Sequence, residues 1–118
     1  MAYRVLSISY DSTLLSIRER LLEREGYEVV SADGFVDALK RCEEGHYDLA
    51  VMGHSIPIAD QKTFFEALNR EHPLPVISLT VSGEPGLQCA VAQVDAFQPQ
   101  HFINTVRQVL GKEGSFQA

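Results

Sequence analysis

His54 and Ser55 stand side by side in the stretch Gly53-His54-Ser55-Ile56-Pro57, a base and a hydroxyl that could in principle make an activated nucleophile. That chemistry needs the imidazole within hydrogen-bond reach of the hydroxyl and a third group to orient it. Adjacent loop residues seldom aim at each other, and the sequence places no third group, so His54 reads as a solvated loop histidine. Asp48 and Asp60 flank this region and both read as structural, Asp48 at the opposite end of a strand and Asp60 capping or opening a helix. Ser82-Gly83-Glu84-Pro85-Gly86 offers backbone N–H groups to a phosphate but matches no Walker or dinucleotide fingerprint, and Glu84 repels an anion. Cys42 and Cys89 are neither a CxxC pair nor near histidines at metal-ligand spacing, so both are expected to be buried thiols without chemistry. Nucleophile, base and anion cradle do not converge, and neither an enzyme, a metal site nor a cofactor is expected.

The elements that must carry these residues follow from periodicity. Val5-Leu6-Ser7-Ile8, Leu49-Ala50-Val51-Met52 and Val76-Ile77-Ser78-Leu79-Thr80 are short apolar runs suited to strands buried on both faces. Tyr27–Ala32 and Val94–Gln98 read as two further strands. Between them run helical patterns: Leu14, Ile17, Leu21 and Leu22 after the cap candidates Asp11 and Ser12; Val36, Leu39 and Cys42 after Asp33; Phe64, Phe65 and Leu68 after Asp60. A short, weak helix over Leu87–Gln93 and a last one carrying Phe102, Val106, Val109 and Leu110 complete the set. Alternation of this kind demands right-handed parallel crossovers, which gives an α/β three-layer (βα)5 sandwich of the flavodoxin-like kind, with sheet order 2-1-3-4-5. The expected domain spans 3–111, and 112–118 is expected to be a flexible tail.

With 118 residues, the chain has room for one core and not for two. A formal net charge of -6 and the absence of any Lys or Arg run make nucleic acid an unlikely direct partner. No apolar stretch approaches the roughly 18 residues of a membrane span and no signal-peptide h-region opens the chain, so a cytoplasmic location without membrane contact is expected.

Leu21 to Val30 (LLEREGYEVV), Asp48-Leu49-Ala50-Val51-Met52, Pro57, Asp60, Pro75 to Thr80 (PVISLT) and Asp95-Ala96-Phe97 fall in order along nearly the whole chain. In that order and spacing the sequence resembles the receiver domain of two-component response regulators. The alignment slips after Thr80, by about two residues, and after Phe102, where about five residues before the last helix are missing. The resemblance implies a pocket with an acidic pair after the first strand that helps hold Mg²⁺, an acceptor aspartate after the third, a hydroxyl ending the fourth and a lysine after the fifth. Carried over, the acidic pair falls on Ser9 and Tyr10, the acceptor on Gly53, the hydroxyl on Thr80 and the lysine on Gln100, with Asp11 as a carboxylate next door. Glycine has no side chain to esterify, and a lone carboxylate beside a hydroxyl and a phenol is a poor Mg²⁺ site. The lysines of the chain, Lys40, Lys62 and Lys112, lie far from the fifth strand in sequence.

The resemblance therefore implies a degenerate receiver in bacterial phosphorelay-type signalling, a pseudo-receiver that acts as a protein interaction or dimerisation module without aspartyl phosphorylation. Its expected partners are a sensor kinase, another regulator, or a second copy through the face formed by the fourth helix, fifth strand and last helix. Thr80, Phe97 and, if exposed, Phe102 are the switch and interface candidates. The alternative is a ligand-sensing domain that binds a small molecule or anion in the vacated pocket.

Overall fold

Three apolar runs become the central strands of one parallel sheet because each is buried on both faces, where only the neighbouring strands can satisfy its backbone groups; the two edge strands are only partly buried. The computed structural model describes residues 2–70, 73–81 and 85–111. In chain order the elements are β1 (Arg4–Ser9), α1 (Ser12–Arg24), β2 (Glu28–Asp33), α2 (Phe35–Glu44), β3 (Leu49–Met52), α3 (Ile58–Leu68), β4 (Val76–Thr80), β5 (Ala92–Asp95) and α4 (Pro99–Gly111). The sheet order is β2-β1-β3-β4-β5, all pairs parallel. One core, on the side of α2 and α3, gathers Leu6, Ile8, Ala50, Met52, Phe64 and Val76; the other gathers Val5, Leu22, Val51, Ile77, Phe102 and Val106 against α1 and α4. The expected three-layer flavodoxin-like architecture and strand order are present. Among the described residues no helix is long and apolar enough to cross a membrane.

Between β4 and β5 the expected helix over Leu87–Gln93 is absent, so the described residues carry four helices and not five. The chain from Pro85 through Leu87 is irregular, and β5 begins at Ala92, two residues before the expected Val94. The few residues left are too short a run to repay helix nucleation. The crossing is instead pinned to the sheet: Leu87 N–H donates to Ser78 Oγ (3.2 Å), and Gln93 Nε2 to the Leu87 carbonyl (2.9 Å). Ser82–Glu84 of the phosphate-cradle candidate and the expected tail 112–118 lie outside the described residues.

Several helix faces are rotated from the expected ones. In α1 the buried residues are Leu15, Arg18 and Leu22, while Ile17 is half-exposed. In α2, Val36 points outward at 80% exposed, and Phe35, Ala38, Leu39 and Cys42 pack inward. Asp33 ends β2 instead of capping α2, whose N-cap is Gly34, held at φ 92°, a left-handed value that favours glycine. Asp60 does not cap α3; it lies in its first turn, where a carboxylate suits the helix dipole. Cys89 is exposed rather than buried, because the loop that carries it is not a helix with an inward face. Phe102 is 4% exposed and belongs to the core, so it is withdrawn as an interface residue. Asp48 lies at the amino end of β3, accepting the Arg4 N–H at 2.8 Å.

Candidate site at the carboxyl edge of the sheet

β1, β3 and β4 run parallel as neighbours, so the residues that follow them meet at one edge. Gly53 N–H donates to the Ile8 carbonyl at 2.9 Å, laying the chain after β3 against the end of β1. Ser9 and Ser55 hydroxyls are 2.8 Å apart; Ser55 Oγ also accepts the Tyr10 N–H (3.0 Å) and Ser9 Oγ the Asp11 N–H (3.0 Å). This serine pair ties the two turns together. The Tyr10 hydroxyl donates to Asp60 Oδ2 at 2.8 Å, and its ring meets Phe64 edge-on at 6.2 Å. Burial, and then the neighbouring Asp60 carboxylate, raise the phenol from 10.0 to about 12. Asp11 Oδ1 accepts from Thr13 N–H (2.9 Å) and Leu14 N–H (3.1 Å), so this carboxylate is the cap of α1.

Arg18 was not legible as a site residue among the charged positions of α1, yet it is central. Its residue is 5% exposed, and its guanidinium stands where a side chain at Gly53 would begin: a Cβ on Gly53 would lie inside 3.0 Å of Nη1. Nη2 is 3.3 Å from His54 Nδ1, and Nη1 is buried without a hydrogen-bond partner among the described residues. Burial lowers the Arg18 pKa from its ordinary value, with the Asp11 charge acting in the opposite sense. An unsatisfied buried donor costs about 1–3 kcal/mol, and more when charged. The clue in the sequence is spacing: Leu15, Arg18 and Leu22 recur at i, i+3 and i+7, which sets an arginine on the buried stripe.

The remaining candidates divide. Thr80 ends β4 beside this edge, but its hydroxyl donates to the Val94 carbonyl at 3.3 Å. Phe97 is 68% exposed, with its ring centroid 5.5 Å from that of His54 and its N–H bonded to Asp95 Oδ1 at 2.8 Å. Gln100 is exposed in the first turn of α4, bonded to Asn104 Oδ1 at 3.1 Å, and does not join the cluster. A polar residue absent from the expected set, Gln61, is buried and bonds the Ile56 carbonyl (2.9 Å), the Gly53 carbonyl (3.4 Å) and the Ser78 hydroxyl (2.8 Å), bracing the loop after β3. A cleft of about 230 Å³ beside it is lined by His54, Gln61 and Thr80. Among the described residues no group of three or more His, Cys, Asp or Glu side chains is placed to hold a metal ion.

Residues 5–99 match the response regulator receiver domain. The chain belongs to that family. Among curated proteins this receiver domain is similar to the two-component response regulator ORR22 of Oryza sativa subsp. indica, 36% identical over 83 residues, which are 69% of this chain and 12% of that protein. It is also similar to ARR11 of Arabidopsis thaliana, 34% identical over 69% of this chain and 16% of that protein. The chain thus spans a small fraction of the length of these relatives. In fold, the receiver domain matches the CheY-like receiver domain protein of Methanospirillum hungatei JF-1 with a TM-score of 0.83 at 22% identity, covering 98% of each chain. It matches the chemotaxis protein CheY4 of Vibrio cholerae with a TM-score of 0.80 at 20% identity, covering 92% of this chain and 99% of that one.

Proposed function

We propose that this receiver domain is a pseudo-receiver, a protein interaction module of two-component signalling that works in the cytoplasm without taking a phosphoryl group on an aspartate. The observation that carries the reading is at Gly53: the position after β3 has no side chain, and the Arg18 guanidinium stands in its space. An acceptor needs a carboxylate there and a divalent cation beside it. Ser9 and Tyr10 supply neither charge, Asp11 is engaged in capping α1, and a guanidinium repels a cation. No turnover is ascribed to the chain.

Intact mass after incubation with Mg²⁺ and acetyl phosphate tests the reading, with a phosphorylatable receiver as positive control. The expected result is an unchanged mass. A gain of one acid-labile phosphoryl group would overturn it and direct attention to Asp11 as the replacement acceptor.

A further inference from the structure

A receiver pocket built to collect carboxylates around a metal would be expected to stay acidic or become neutral when its residues are exchanged. Here a buried cation has been added to it. Ser9, Tyr10 and Gly53 bring no charge to the carboxyl edge of the sheet, while Arg18 brings a cation into it from α1. That cation is nine-tenths buried and poorly matched: Nη2 meets a histidine nitrogen at 3.3 Å, and Nη1 has no hydrogen-bond partner among the described residues. A buried guanidinium is stable when a carboxylate or another oxyanion pairs with its planar fork. Asp11 feels its charge, but the Asp11 carboxylate oxygen Oδ1 is bonded to two α1 amides.

We propose that the vacated pocket is a metal-independent site for a small oxyanion, with Arg18 as the residue that binds it. Arg18 Nη1 rests in the Gly53 space without a hydrogen bond, so a modest swing of the flexible guanidinium toward an entering anion sacrifices no hydrogen bond made by that nitrogen. Arg18 itself lines a cavity of about 90 Å³ with Leu14, Leu79, Ala96 and Pro99, and its partner His54 also borders the cleft lined by Gln61 and Thr80. The amino ends of α1 and α3 follow β1 and β3 at the same edge, where the positive ends of the helix dipoles favour negative charge. Asp11 and Asp60 oppose an anion, which limits the site to a small ligand held at the arginine and away from the rim. The inference goes beyond the interaction module and does not depend on it: the oligomeric state can be as expected or not while this site is tested by ligand alone.

The test is a thermal-denaturation series with the full chain in EDTA at constant ionic strength, titrating inorganic phosphate and, in a parallel arm, acetate against chloride. The midpoint is expected to rise with phosphate or acetate concentration in the wild type, as for a ligand that binds only the folded state. Arg18→Met is expected to weaken the binding by about tenfold or more, the cost of one charge-assisted hydrogen bond. Arg24→Met, at the exposed end of the same helix, is expected to respond like the wild type and so controls for general salt effects. Amide shifts in ¹⁵N–¹H spectra of the wild type keep the proposal testable if Arg18→Met does not fold: they are expected at Gly53, His54 and Ser55. No midpoint rise above chloride with either anion, an equal rise in Arg18→Met, or shifts scattered away from these three amides would overturn it.

Discussion

Gly53 and Arg18 have to be considered together, because the guanidinium occupies the space that a side chain at 53 would enter. A Cβ at 53 would come within 3.0 Å of Nη1, the far end of a flexible side chain, so Gly53→Ala requires the guanidinium to shift, while Ile8 O and Ser9 Oγ at 3.3 Å are tighter than ordinary contact. Glycine at 53 could be read from the sequence as a missing acceptor; that its space is filled by a residue 35 positions earlier could not. Tyr10 is a second case. Its phenol is shifted to about 12 by burial first and by Asp60 second. The folded state therefore keeps this proton between pH 10.0 and about 12, where the unfolded chain has released it. The stabilisation is complete below the lower value and is lost as pH rises through the upper one. Ultraviolet absorbance titration, taken as the difference between wild type and Tyr10→Phe, should place this ionisation near pH 12. Asp60→Asn should move it downward, since the Asp60 carboxylate favours the protonated phenol. An ionisation at the ordinary tyrosine value in the wild type would refute the Tyr10–Asp60 bond.

At the level of elements, α1 does two jobs: its cap closes the turn after β1, and the second of its buried positions delivers the arginine. Asp11 holds two otherwise unpaired amides, so Asp11→Ala should cost about 1 kcal/mol, within the range of 0.5–2 for such caps. Asp11→Asn should retain most of that, because an amide oxygen can accept the same bonds. Urea denaturation measures both, and wild-type stability in the alanine variant would show that the cap contributes nothing. The crossing between β4 and β5 is the element where the pattern of the chain misled. Leu87 and Val91 look like the apolar positions of a short helix, but the irregular chain from Pro85 through Leu87 and the start of β5 at Ala92 leave too little length, and Leu87 is anchored to Ser78 instead. The amphipathic faces of α1 and α2 were legible only approximately, since Ile17 and Val36 fit an apolar stripe one position away from the buried one.

At the scale of the whole molecule, the absence of a helix from the described residues between β4 and β5 changes what surface is on offer. The expected face of fourth helix, fifth strand and last helix reduces to the edge strand β5 and α4, with Phe97 and Val91 exposed on it at 68% and 56%. If this face joins two copies or receives a partner, Phe97→Ser should lower the association without altering the far-ultraviolet circular dichroism. Sedimentation velocity over a concentration series is the measurement, and a monomeric wild type at all concentrations would exclude self-association there. Strand count and the parallel sheet were determined by the sequence alone, because apolar runs alternating with helical patterns require parallel crossovers, and the order 2-1-3-4-5 is one of the few layerings this pattern admits. The absent charges at Ser9, Tyr10 and Gly53 were equally plain, since residue identity is enough to remove a carboxylate. Only the tertiary structure decided that Phe102 is core, that Gln100 stands apart from the pocket, and that Arg18 enters it. Those outcomes depend on helix rotation and on contacts between residues distant in the chain, which periodicity constrains no more closely than about one residue.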